Sequence, residues 1–131
     1  ADAWRRTESL LGRLRAATEA DGARLAILVV GGREQVYPEL WAEMVAAHPA
    51  MQGMVWDLYG PERGVLAWCE AEGIPCLQLS ASFRNSVDSS ESLHYRYDGH
   101  WTAAGHRLAA EAVAKFLDSR DLLAEGSRFE N

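Results

Sequence analysis

The strongest chemical signal in the chain is the stretch Leu93-His94-Tyr95-Arg96-Tyr97-Asp98-Gly99-His100-Trp101-Thr102-Ala103-Ala104-Gly105-His106. Asp98 stands two residues before His100. A carboxylate that close to an imidazole can accept the Nδ1 proton, fix the tautomer and leave Nε2 free as a base. Gly99 between them allows backbone angles that other residues avoid, so the two side chains have room to meet. Thr102 reads as the N-cap of a following helix, which would anchor the loop. The same spacing also suits an Asp–His hydrogen bond that merely ties down a loop, so spacing alone does not assign catalysis. A second chemistry is metal binding, because His94, Asp98, His100 and His106 are all ligand types for zinc or ferrous iron. Their spacing matches no recognised ligand pattern, and convergence of all four is not expected.

A base needs a nucleophile to activate. Ser80, Ser82, Ser86, Ser89, Ser90 and Ser92 fall in a polar stretch just upstream. None sits in the tight glycine-bracketed turn that exposes a catalytic hydroxyl, and serines of this kind ordinarily solvate a loop. Gly31-Gly32-Arg33 follows an apolar run but lacks the rest of a phosphate-binding fingerprint, so it reads as a strand terminator. Cys69 and Cys76 are too few for a disulfide scaffold, and their spacing is not that of a zinc ribbon. They read as two small buried side chains flanking a turn, with a mutual disulfide as the alternative.

The elements that must position these residues follow from pattern. Trp4, Leu10, Leu11, Leu14, Ala17 and Thr18 recur at helical spacing, and Asp21-Gly22 ends that helix with Gly22 as a left-handed cap. Leu25–Val30 is a continuous apolar run, as expected of a parallel strand buried on both faces. Pro38 opens a short helix over Glu39–Ala47, closed by His48-Pro49. Met54–Leu58 is a short strand or an apolar link. Pro61 starts a helix over Glu62–Glu72 with Leu66, Ala67 and Cys69 inward and Gly73 as the stop. Pro75–Leu79 is the next strand, Ser80–Ser92 a loop, and Thr102 to Asp118 the last helix, with Leu108, Ala109, Ala112, Val113, Phe116 and Leu117 as its apolar stripe.

Helices alternating with short buried strands predict a three-layer α/β arrangement with a mainly parallel sheet. Two clear strands and one doubtful one are few for such a sheet, and the expectation is an incomplete one. At 131 residues the chain has material for a single domain. That domain is expected over 1–123, followed by a polar tail over 124–131. A formal charge of -6 argues against nucleic acid or anionic lipid as the main partner, since both demand a basic surface. Leu25–Val30 is far too short to span a membrane. The opening Ala1-Asp2-Ala3-Trp4 has neither the basic flank nor the apolar stretch of a signal peptide.

The block from Asp98 to Ala109, with Asp98-Gly99-His100-Trp101-Thr102 at its head, resembles the C-terminal block of SGNH (GDSL-type) hydrolases. It is most similar to the version found in SGNH hydrolase-like proteins related to alginate O-acetyltransferases. Leu25–Val30 with the following Arg33-Glu34-Gln35-Val36-Tyr37-Pro38 resembles a middle strand and its loop in those proteins, and Pro61–Leu79 resembles the segment before their active-site loop. The resemblance implies a flavodoxin-like α/β/α sandwich and a Ser-His-Asp esterase or O-acyltransferase acting on acylated carbohydrate or a small ester, without a cofactor or metal. By motif position Asp98 would orient the base and His100 would deprotonate the serine. In the same family-like reading Arg33, Tyr37 and Trp41 would line a substrate cleft, and Trp101 would shield the base or stack on a sugar. The family's Gly-Asp-Ser nucleophile motif and its oxyanion block are absent. The chain therefore looks like the C-terminal portion of such a domain, completed by an upstream segment or a second copy. Relatives of this kind sit outside the cytoplasm, which makes a periplasmic or extracytoplasmic setting the expectation. The alternative from another class is a non-catalytic interaction module that completes its sheet with a partner.

Overall fold

The computed structural model describes residues 2–87 and 91–123. The predicted tail over 124–131, together with Ser89 and Ser90, lies outside the described residues. The elements run α1 (Asp2–Ala20), β1 (Ile27–Val29), α2 (Arg33–Val36), α3 (Pro38–Ala47), a 3-10 turn (Pro49–Met51), α4 (Gly60–Glu72), β2 (Cys76–Gln78), α5 (Leu79–Arg84) and α6 (Ala103–Ser119). β1 and β2 pair in parallel, with Ile27 opposite Cys76 and Val29 opposite Gln78. The architecture is mixed α/β on a small parallel sheet, with α4 as the crossover between the two strands.

Local signals account for most of the boundaries. Gly22 (φ 69°) and Gly73 (φ 65°) take left-handed backbone at the ends of α1 and α4, where a side chain would be strained. Pro38 and Pro61 sit in the first turns of α3 and α4, where the missing N–H costs nothing. Thr102 caps α6, its hydroxyl accepting from the Gly105 N–H at 3.2 Å.

Of the two readings of Met54–Leu58 the link holds, with Met54, Val55 and Trp56 exposed between the 3-10 turn and α4. Several expectations are corrected. The Ser80–Ser92 loop instead begins as helix α5, whose Leu79, Ser80 and Phe83 are buried. Ala67 points to solvent rather than inward. The α1 stripe finds little to cover it: Leu10 and Leu14 remain exposed, and the helix has no fully buried residue. It is held to α4 by the Trp4 ring lying flush on Gly64, where an added Cβ would meet the ring at 2.8 Å, and by an Arg15–Glu72 ion pair. β1 is not enclosed on both faces, since Leu28 and Val30 are exposed.

The core lies at the other end of the molecule. Val36 of α2, Leu79 and Phe83 of α5, Leu93, and Ala109 of α6 are packed together, with Tyr37, Leu77 and Trp101 around them. Phe83 is the largest fully buried side chain and touches both the His94 and Trp101 rings. Its removal would leave a cavity at the junction of three helices and the site loop. Phe83→Ala is expected to destabilise the fold by about 3–5 kcal/mol, read as a fall in the urea midpoint; a loss below about 1 kcal/mol would show that the core is organised elsewhere.

Candidate functional site

The predicted dyad sits on a short hairpin. His94 and Trp101 pair as an antiparallel bridge, the Tyr95 N–H donates to the His100 carbonyl at 2.8 Å, and the Thr102 N–H donates to the Leu93 carbonyl at 3.0 Å. Gly99 makes the turn with φ 72°, its N–H reaching the Tyr95 carbonyl at 3.3 Å. Asp98 Oδ1 accepts the His100 backbone N–H at 3.0 Å and lies 3.4 Å from His100 Nδ1. One carboxylate oxygen thus holds the His100 backbone and stands beside its ring at the Nδ1 edge. The His100 side chain is 81% exposed and that of Asp98 60%. The pair is open to solvent.

The hairpin is seated on α6 by an unusually close approach. An added Cβ on Gly105 would fall 2.2 Å from the Leu93 carbonyl oxygen and 3.1 Å from Trp101 Cβ. No side chain fits there, so the glycine of the motif is a packing requirement. The Thr102 hydroxyl spans the same junction, donating to the Ser92 carbonyl at 2.6 Å while it caps the helix.

Arg33 and Tyr37 meet the hairpin from behind. The Arg33 guanidinium donates through Nη1 to the Arg96 carbonyl and pairs with Glu34 at 3.1 Å. The Tyr37 hydroxyl accepts from the Leu93 N–H at 3.2 Å, and its ring meets His94 edge-on at 5.6 Å. Trp101 lies against Phe83 at 5.2 Å and His106 at 5.4 Å, half-buried at the rim of the core. Arg33, Tyr37 and Trp101 are thus gathered around the dyad loop, where they make contacts that hold it.

The four-residue metal cluster does not assemble. His94 is enclosed by Tyr37 and Phe83, His106 lies against Trp101, and His100 faces solvent. Among the described residues no group of three or more His, Cys, Asp or Glu could hold a metal ion. Three of the serines, Ser80, Ser86 and Ser92, are engaged elsewhere. Ser80 is 2% exposed and its hydroxyl donates a hydrogen bond to Glu62 Oε1, while Arg84 Nη1 donates to Ser80 Oγ at 3.3 Å. Ser86 and Ser92 donate to the Ser82 and His94 carbonyls.

Two features went unseen in the sequence. One is the buried Glu62–Ser80 pair; nothing in the spacing of residues 62 and 80 signals it. The other is the burial of His94, which the sequence offered only as a metal ligand: it is 4% exposed, and its Nδ1 has no hydrogen-bond partner among the described residues. Burial pushes the His94 imidazole below its usual value near 6.5, and the Arg33 charge pushes the same way, with Glu34 opposing.

The family described as SGNH hydrolase-like domain, acetyltransferase AlgX, matches residues 1–130. The chain belongs to this family. No curated protein and no solved structure matches it. Membership agrees with the parallel α/β framework. Among the described residues no helix is long and apolar enough to cross a membrane.

Two measurements check this account of the site. Because His94 takes up a proton more readily in the unfolded chain than in the folded one, the unfolded state binds more protons as pH falls below about 6.5. Stability is therefore full above that value and declines as pH drops toward the lower folded value. His94→Gln should flatten that acid limb of the denaturation midpoint against pH, and an unchanged slope would assign the effect to another group. Gly105→Ala should cost about 1–3 kcal/mol through overpacking, with amide shifts in an NMR spectrum centred on Leu93 and Trp101. Shifts confined to the helix α6 would mean that the close approach does not seat the hairpin.

Proposed function

We propose that this chain supplies the Asp–His half of a Ser-His-Asp site for ester hydrolysis or acyl transfer on an acylated carbohydrate. The observation that carries the reading is Asp98 Oδ1 beside His100 Nδ1 on a hairpin held by Gly105, Arg33 and Tyr37, in a chain of the AlgX family. In that role Asp98 keeps the Nδ1 proton in place and stabilises the imidazolium. His100 Nε2 takes the proton of a serine hydroxyl as it attacks the acyl carbonyl, then returns it to the leaving alcohol. Transfer differs from hydrolysis only in whether a sugar hydroxyl or water accepts the acyl group from the serine.

The nucleophile and the oxyanion donors come from a polypeptide segment beyond these 131 residues. The open dyad, the exposed face of β1 at Leu28 and Val30, and the edge of β1 that pairs with no strand among the described residues suit such a completion. The same edge favours the second reading, a non-catalytic module whose sheet pairs with a partner or a second copy. Solution mass by light scattering separates the two forms of completion, since a second copy gives a dimer and a separate segment does not.

The nucleophile is tested by incubating the chain with a fluorophosphonate and measuring its intact mass. No adduct is expected on residues 1–131 alone. A single adduct that disappears in His100→Ala would place an activated serine within them and overturn the half-site. In a polypeptide that includes the completing segment, His100→Ala and Asp98→Asn should each lower kcat/KM for a small acetyl ester by about 10³–10⁴. Both side chains are exposed, so stability should change by less than about 0.5 kcal/mol. Near-normal turnover in either variant would remove these residues from the mechanism.

A further inference from the structure

Cys69 and Cys76 lie outside the dyad and take no part in it. Cys69 is in the last turn of α4, 2% exposed, and Cys76 is the first residue of β2 and half-buried. Between them the chain reverses through left-handed Gly73, and the Ile74 N–H closes onto the Cys69 carbonyl at 2.9 Å. This tight return sets both cysteines on the same face of the turn, where they line one cleft. Both are free thiols. The cleft is about 370 Å³ in volume and its walls include Gly73, Ile74 and Pro75, so a small reagent can approach the pair from solvent.

We propose that Cys69 and Cys76 form a reversible intramolecular disulfide that ties the end of α4 to the start of β2. The oxidant is a small disulfide such as oxidised glutathione. The Cys76 thiolate, on the more accessible side, attacks one glutathione sulfur and releases the first glutathione thiolate. Cys69 then attacks Cys76 Sγ in the mixed disulfide and releases the second. The protein pair loses two electrons and two protons, and glutathione disulfide is reduced to two thiols. Burial, reinforced by the neighbouring Cys69, holds the Cys76 thiol up at about 12, so little thiolate is present at neutral pH. Exchange is accordingly slow there and accelerates as pH rises. Because Cys76 also pairs with Ile27 in the sheet, the bond would fasten the β1–β2 ladder to its crossover helix. This device is independent of the acyl-transfer reading.

The test uses the reduced chain, exposed to oxidised glutathione at mildly alkaline pH without denaturant. The expected product has lost two hydrogens by intact mass and takes up no maleimide. Its Tm should rise by roughly 5–10 °C, and dithiothreitol should reverse both changes. Cys76→Ala, altering the half-buried partner, should fold and show neither change. Reaction that stops at a glutathione adduct, yields disulfide-linked dimers, or leaves both thiols free would overturn the proposal. So would loss of two hydrogens with a lowered Tm, because the bond would then strain the turn instead of fastening it.

Discussion

The contact between the Leu93 carbonyl and the backbone of α6 at Gly105 is the constraint on which the site rests. A helix start can come this near a strand only where no side chain intervenes. Once it does, the Thr102 N–H and hydroxyl bind the Leu93 and Ser92 carbonyls, and the hairpin from His94 to Trp101 is fastened at its open end. Asp98 and His100, at the far end of that hairpin, inherit their position from it. The dyad is thus ordered by backbone geometry, although both of its side chains are in water.

A second layer of support is polar and buried. Arg33 crosses from α2 to the Arg96 carbonyl, and Tyr37 receives the Leu93 N–H, so the helix after β1 grips the loop after β2. His94 fills the space between them with its ring against Tyr37 and Phe83. A neutral imidazole suits this place because a second positive charge beside Arg33 would be both desolvated and repelled. Farther back, Glu62 and Ser80 join α4 to α5 under the same sheet. Ser80 is thereby a structural hydroxyl, and its position after β2, where an active-site serine could stand in an α/β protein, is used for packing.

The distribution of apolar surface separates the molecule into two halves. Around α5, α6 and the hairpin the core is closed, whereas α1 and the face of β1 leave Leu10, Leu14, Leu28 and Val30 uncovered. A parallel sheet is ordinarily enclosed on both faces. The Asp98–His100 hairpin therefore stands on the closed half, and the exposed apolar side chains of α1 and β1 lie on the other.

Much of this was legible in the sequence. Asp98 and His100 are two residues apart, so their meeting depends on one glycine turn and could be read without knowing the fold. The ends of α1, α3, α4 and α6 were likewise written in Gly22, Pro38, Gly73 and Thr102, because helix caps are local chemistry. The parallel pairing of the two apolar runs followed from the helix between them. Tertiary structure decided the rest. Arg33 reaches a carbonyl 63 residues away, and Ser80 a carboxylate 18 residues away. A polar stretch that reads as a loop became helix α5 because Leu79 and Phe83 had a core to enter. Which polar residues are buried, and which carbonyls they satisfy, depends on chain segments brought together only by folding. Periodicity and spacing carry no record of such encounters.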